Sequence, residues 1–294
     1  MTRVAVLSDI HGNLPALEAV IADIAAQDVD EVLVGGDLVG RGPQGSGVIA
    51  RVRELSWPSV RGNHEEYLLT FRRGEVPEDW LEADEWSASR WMADELSNED
   101  VGYIEALPFS LTSERAPQIL LVHASPRGTN DGIGPWTSER QTARHFDSID
   151  ESVLVCCHTH RPLLHRFETG LVVNVGAVGL PFNSDRRAQY AIFQITDEDV
   201  EIEFRQAGYD LGEILAIYES SGFLEQGGVT AQLLMLELEN AQPFLVPFLQ
   251  WASTLGIPAV ADQIDAFLDF YDPDEPFHAF FHRLAQLPGQ DATK

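Results

Sequence analysis

The sequence predicts an α/β fold whose second half carries a mixed or antiparallel sheet and whose last stretch is helical. Three patterns support this. From Arg3 onward short apolar runs alternate with segments of helical period, the mark of strand–helix units. Between Phe109 and Gln206 strand patterns follow one another with little helix between them, which favours mixed pairing. From Asp210 onward the apolar spacing is helical.

Each element follows from its residues. RVAVLS is a strand, LPALEAVIADIAAQ an amphipathic helix and EVLVGGD a second strand. QGSGVIARVREL is helical, and WPSVRGN is a short strand leading into the helix HEEYLLTFRRG. From Glu78 to Ala106 the pattern is helical and acidic, with Trp80, Trp86 and Trp91 near a helical repeat, as expected of packing residues. FSLTS, QILLVH, SVLVCC, LLHRFE, LVVNVG, AQYAIFQITDE and VEIEFRQ then read as strands. LGEILAIYESSGF and VTAQLLMLELENAQPFLVPFLQWASTLG are helical. The chain thus divides into an α/β domain over residues 1–206 and a helical C-terminal appendage over 207–294, packed on that domain or forming a homodimer contact with a second subunit.

Composition narrows the function. Net charge is −28, from 47 acidic and 19 basic residues, which repels nucleic-acid backbones and anionic membranes; extended nucleic acid and membrane are therefore not expected partners. No run of about 18 uncharged apolar residues is present. The start MTRVAVLSDIHGN becomes polar too soon for a secretory segment and reads as part of the fold. Cys156 and Cys157 are adjacent and make no disulfide framework, which fits a reducing, cytoplasmic setting. Lys294 is the sole lysine, and Arg41, Arg61, Arg72, Arg73, Arg127, Arg161, Arg186 and Arg187 lie near the motifs below. Guanidinium forks beside one site in an acidic chain suit a small anionic ligand such as a phosphate.

The chemistry gathers at strand ends. SDIHGN places Asp9 and His11 after the first strand, and GGDLVGRGP places Asp37 after the second. RGNHEE offers Asn63 and His64, LLVHASP offers His123, and VLVCCHTHRPL ends a strand in His158 and His160. Residues two apart in an extended segment point to one side, so this last pair is expected to share a cavity. Groups beyond the carboxyl ends of strands converge in α/β folds. Asp9, His11, Asp37, Asn63, His123, His158 and His160 are too many donors for one ion; a pair of cations about 3.5–4 Å apart, bridged by Asp37, accounts for them. His278 and His282, four apart, lack such company and read as a solvated or packing pair.

These motifs, D-x-H, G-D, G-N-H-[DE], H and H-x-H in order from Arg3 to Arg205, closely resemble those of the calcineurin-like metallophosphoesterase superfamily. The resemblance implies a metallo-dependent phosphatase fold, two mixed β-sheets packed as a sandwich flanked by helices. It also implies two divalent metal ions, one held by Asp9, His11, Asp37 and His160, the other by Asp37, Asn63, His123 and His158. His64 would face the scissile phosphate and protonate or hydrogen-bond the leaving oxygen. The ligand types suit Mn, Fe, Zn, Co or Ni, with Mn or Fe favoured. Cys157 replaces the family glycine before His158; strand alternation turns its thiol away from the site.

GDLVGRGP resembles the G-D-x-V-x-R-G pattern of bacterial diadenosine polyphosphate hydrolases and phosphoprotein phosphatases, a resemblance that implies a phosphate clamp at Arg41. Gly40 stands where phosphoprotein phosphatases carry an aspartate. NVGAVGLPFNSDRRAQYAIF resembles a segment of small bacterial phosphodiesterases. The expectation is a phosphoester or phosphoanhydride hydrolase for a small nucleotide-like substrate, a dinucleoside polyphosphate being the most specific candidate. The alternative is a Ser/Thr protein phosphatase or small-monoester phosphatase, and a non-catalytic scaffold is disfavoured because no ligand is missing.

Overall fold

The computed structural model describes residues 1–275 and 277–287; the side chain of His278, half of the histidine pair above, and Lys294 lie outside it. Its strands are β1 (Thr2–Leu7), β2 (Glu31–Val34), β3 (Ser110–Thr112), β4 (Ile119–Val122), β5 (Val153–Cys156), β6 (Leu163–Phe167), β7 (Gly170–Asn174), β8 (Ala188–Ile195) and β9 (Val200–Ala207). They form two mixed sheets. One has the order β2-β1-β8-β9, the other β3-β4-β5-β7-β6. The pairs β1–β2, β4–β5 and β5–β7 are parallel, and the rest are antiparallel.

The α-helices are α1 (Leu14–Ala25), α2 (Gly45–Glu54), α3 (Asn63–Arg73), α4 (Ser87–Glu95), α5 (Asn98–Ala106), α6 (Glu139–Ala143), α7 (Leu211–Ser220), α8 (Phe223–Gln226), α9 (Gly228–Asn240), α10 (Leu245–Leu255), α11 (Ile264–Phe270) and α12 (Phe277–Leu284). The two sheets pack face to face. Val4, Val6, Leu33 and Phe193 of one meet Leu121, Val153, Val155 and Val173 of the other. Ala5 and Leu7, on the opposite face of β1, pack with Leu17 and Val20 of α1. This double covering explains why β1 reads as a continuous apolar run. α1 starts where the Asn13 side chain accepts the Ala16 N–H at 3.1 Å, with Pro15 in the first turn where its missing N–H does no harm.

Beyond Ala207 the helices serve two cores. Ile214, Tyr218, Phe223, Leu234 and Leu238 join the core that covers the outer face of the four-stranded sheet. Val229 and Leu233, on another face of α9, pack instead with Phe244, Phe248, Trp251, Phe267 and Phe280. A helix buried on two faces needs apolar residues on both, which the sequence of α9 supplies.

Two local expectations are corrected. WPSVRGN makes no strand, only a bridge between Val34 and Ser59, because Pro58 has no N–H to extend the ladder. The long C-terminal helical pattern breaks into α9 and α10 at Ala241, which takes a left-handed φ of 52° two residues before Pro243. The tryptophans act as packing residues: Trp80 stacks on Trp86 at 3.7 Å, and Trp91 lies 5.0 Å from Phe223.

Candidate metal centre

All seven expected donors meet at one crest. Asp9 and His11 follow β1, Asp37 follows β2, Asn63 opens α3, His123 follows β4, and His158 and His160 follow β5. The loops are stitched together by their backbones: Asp9 N–H donates to the Gly36 carbonyl at 3.1 Å, His11 N–H to Asp37 at 2.9 Å, and Cys157 N–H to His123 at 2.8 Å. Asp9, His11, Asp37, Arg41, His158 and His160 all have φ between 51° and 64°. That left-handed region costs an L-residue about 1–2 kcal/mol each, and it persists here because neighbouring loops hold it. It also changes how the final pair is aimed. β5 ends at Cys156, so His158 and His160 are directed by left-handed turns rather than by strand alternation.

Among the described residues three overlapping sets come close enough to share an ion: Asp9, His11 and His160; His11, Asp37 and His64; and Asp37, His123 and His158. His160 Nε2 lies 3.2 Å from Asp9 Oδ1 and 3.1 Å from His11 Nε2. His11 Nε2 is 3.7 Å from Asp37 Oδ2, and His123 Nε2 approaches the same oxygen at 3.3 Å. Asn63 Oδ1 sits 2.9 Å from His123 Nε2 and 2.8 Å from His158 Nδ1. The rings are fixed from behind, since His160 Nδ1 donates to Leu180 O at 2.6 Å and His123 Nδ1 to Gly35 O at 2.8 Å. His11 Nδ1 lies 3.3 Å from Val39 O. With each Nδ1 set against a carbonyl oxygen, His11 and His160 bring their Nε2 atoms within 3.1 Å of each other, where one cation could meet both. Asp9 Oδ1 and Asp37 Oδ2 are buried and receive no hydrogen bond. Buried carboxylate oxygens set beside imidazole nitrogens fit divalent cations.

The titration of these groups follows from burial and neighbours. Burial holds His158 down to about 4 and pushes His64 down to about 3, with the Arg41 charge adding to the latter. Burial also disfavours charge on His123, but the Asp37 carboxylate overcomes it and pushes the ring up to about 10. A proton and a cation therefore compete for His123 Nε2.

Two acids missed in the sequence organise this crest. Glu65, fully buried, accepts the backbone N–H groups of Asp37 at 2.9 Å, Leu38 at 2.7 Å, Val39 at 3.3 Å and Gly62 at 2.7 Å. Burial and the nearby Asp37 push its carboxyl up to about 7, against the pull of these donors. An acid at the third position of a helix following a glycine is a capping signal that could have been read. Glu237, also fully buried, pairs with Arg41 Nη1 at 2.8 Å from α9. It accepts the N–H groups of Phe244 and Leu245 as well. Tyr218 donates to the Arg41 carbonyl at 2.7 Å.

Arg41 Nε in turn donates to His64 Nε2 at 3.2 Å. Neutral His64 then carries its proton on Nδ1, a tautomer assigned from that partner. Gly40 has φ 79°, and a Cβ there would collide with the His64 ring, so this backbone leaves no room for an aspartate. Several expected arginines are engaged elsewhere: Arg61 with Glu66, Arg73 with Glu105, Arg127 with Asp131 and Arg187 with Asp185, while Arg72 donates to the carbonyls of Ala93 and Leu96. Arg186 is exposed. Cys157 is buried between the sheets and Cys156 packs with Val122, Leu154 and Val172. Burial pushes the Cys157 thiol up and Cys156 up to about 12, so neither presents a thiolate near neutral pH.

Fold and site together define a class, an α/β sandwich that gathers nitrogen and oxygen donors around a shared carboxylate at the crest of its parallel strands. The calcineurin-like phosphoesterase superfamily domain matches residues 2–198, and the chain belongs to that superfamily. Its class of chemistry is therefore phosphoester hydrolysis. The chain is similar to the crystal structure of a metallophosphoesterase from Sphaerobacter thermophilus, with TM-score 0.65 and 29% identity, covering 82% of this chain and 100% of that one. An uncharacterised protein of Methanocaldococcus jannaschii is 26% identical over 71% of this chain and 89% of its own length. Serine/threonine-protein phosphatase 1 of Salmonella typhimurium is 33% identical over 41% of this chain and 53% of its own length. No helix among the described residues is long and apolar enough to cross a membrane.

Proposed function

We propose that the protein is a two-metal phosphohydrolase for a small nucleotide-like phosphoester or phosphoanhydride, a dinucleoside polyphosphate being the most specific substrate. The observation that carries the metal assignment is the pair of buried, unmatched oxygens, Asp9 Oδ1 and Asp37 Oδ2, facing imidazole nitrogens at 3.2 and 3.3 Å. Asp9, His11, Asp37 and His160 would hold one divalent ion, Mn or Fe being favoured. Asp37, Asn63, His123 and His158 would hold the other. When bound, such a pair supplies Lewis acidity toward phosphoryl oxygens and toward water. Arg41 orients and neutralises a non-bridging phosphoryl oxygen with the guanidinium edge that Glu237 and His64 leave free. His64, neutral at pH 7, hydrogen-bonds the leaving oxygen. Glu65 fixes the Asp37–Val39 loop so that these groups hold their places before substrate arrives.

Protein phosphatase activity is the second reading, favoured by the partial match to the Salmonella enzyme and by Arg41 after the G-D motif. Assays with Mn²⁺ against bis-p-nitrophenyl phosphate, p-nitrophenyl phosphate, diadenosine tetraphosphate and a phosphopeptide separate the two. Turnover of the dinucleotide is expected; turnover of the phosphopeptide alone would reject the nucleotide reading. Metal analysis of the fully loaded protein is expected to find two ions per chain, and one or none would reject the two-metal assignment.

A further inference from the structure

Asn63, His123 and His158, three of the donors assigned to the second ion, are fastened together by side chains that are not ligands themselves. Asn63 opens α3, and Glu66 and Tyr67, three and four residues further on, lie on the same face of that helix. Both reach the loop that leaves β4 after His123. The Tyr67 hydroxyl donates to Asn130 Oδ1 at 2.7 Å, and the Thr129 hydroxyl donates to Glu66 Oε2 at 2.8 Å. Burial pushes the Tyr67 phenol up, so it keeps the proton that it donates. Its ring stands edge-on to His64, 5.5 Å away with planes 81° apart. The loop also closes on itself: Ser125 and Gly128 exchange backbone hydrogen bonds at 3.2 Å, and Ser125 Oγ donates to Asp131 at 2.6 Å. Just beyond, Gly132 lies so close to His158 that a Cβ there would come within 2.8 Å of the imidazole Cδ2.

One end of this loop is thus continuous with His123 and the other seats His158, while its middle is tied to the helix that begins with Asn63. Tyr67 is half-buried and Asn130 is exposed, so a hydrogen bond between them contributes little to the stability of the fold. Groups that fix the orientation of metal ligands, by contrast, govern metal affinity. The donors of the other ion take their places from different contacts: Asp9 and His11 from the carbonyls of Gly36 and Asp37, and His160 from that of Leu180. Resting on the two-metal reading above, we infer that Glu66 and Tyr67 are positioning residues for the second ion, tying α3 to the loop 124–132 and so holding Asn63, His123 and His158 together.

Tyr67→Phe and Thr129→Val remove the two ties with little change of shape, and calorimetric titration of the metal-free protein with Mn²⁺ resolves the two binding steps. The step of the second ion is the one that Asn63→Ala abolishes. In the double variant that step is expected to weaken about tenfold, the scale on which supports of metal ligands act, with a smaller loss in each single variant and the other step unchanged. Equal weakening of both steps, or of neither, would overturn the inference. Hydrogen exchange of residues 124–132 in the metal-free protein supplies a readout that needs no ion. It is expected to accelerate about fivefold in the double variant, the effect of a lost hydrogen bond, and unchanged exchange would reject the tie. If wild type takes up fewer than two ions, the two-metal reading fails, while hydrogen exchange still decides whether Glu66 and Tyr67 hold the loop. Should the double variant not fold, Asn130→Ala, at the exposed end of the tie, decides by the same selective loss.

Discussion

His64 shows how a single ring is set up by its surroundings. It stands outside both donor groups assigned to metal, Arg41 donates to its Nε2, and burial keeps it neutral. Substituting His64→Ala is expected to lower kcat by about 10²–10⁴-fold. Metal content by elemental analysis should stay at the wild-type level, and loss of metal would place His64 among the ligands instead. Competition between a proton and a cation for His123 adds a pH effect. Since the metal-free ring holds its proton up to about 10, loading is expected to release protons near neutral pH and to weaken as pH falls. Titration of Mn²⁺ in buffers of differing ionisation enthalpy measures that release. The seven donors were legible because each follows a strand or opens a helix within a short motif. Glu237 was not, because its partner Arg41 lies 196 residues away and no local pattern links them. The left-handed turns at His158 and His160 were also hidden, since only the fold forces non-glycine residues into that region.

At the scale of elements, the strands and most helix positions could be read from periodicity, and the errors fell where one residue overrules a pattern. Pro58 removes a ladder donor, and Ala241 with Pro243 ends a helix whose apolar spacing continues. Periodicity also could not tell which surface α9 covers, because it is apolar on two faces. In the structure α9 presents Glu237 to Arg41, so this helix contributes electrostatics as well as packing. Glu237→Gln keeps the side-chain shape and removes the charge. Leaving Arg41 half-buried without its acid is expected to lower stability by about 3 kcal/mol, the low end of the range for broken buried pairs. It should also cut kcat/KM about tenfold at temperatures where the variant remains folded, measured by steady-state kinetics beside a thermal melt. Tyr218→Phe, which loses only the hydrogen bond to the Arg41 carbonyl, should cost about 1 kcal/mol.

For the molecule as a whole, charge sets the response to solution conditions. A net charge of −28 opposes compaction, so the melting temperature is expected to rise as NaCl increases from low to moderate ionic strength. The Asp23 carboxylate is one acid that works for the fold. Hydrogen bonds from Arg205 at 2.9 Å and from Tyr190 at 2.6 Å hold it below the ordinary carboxylate range, and tie α1 to β8 and β9. With a lowered folded value, its contribution is present above the unfolded carboxylate value of about 3.9 and is lost as pH falls through the folded one. Asp23→Asn is therefore expected to cost about 1 kcal/mol at pH 7, and the gap to wild type in denaturant melts should close below about pH 4. The superfamily match ends at residue 198, whereas Tyr218 and Glu237 lie beyond it. Transplanting only the shared segment into a relative would carry over every donor of the crest yet strand its arginine. The inheritable unit of this machinery is thus longer than its motifs suggest, and a chimaera must include α7 through α9 for Arg41 to keep its bearing.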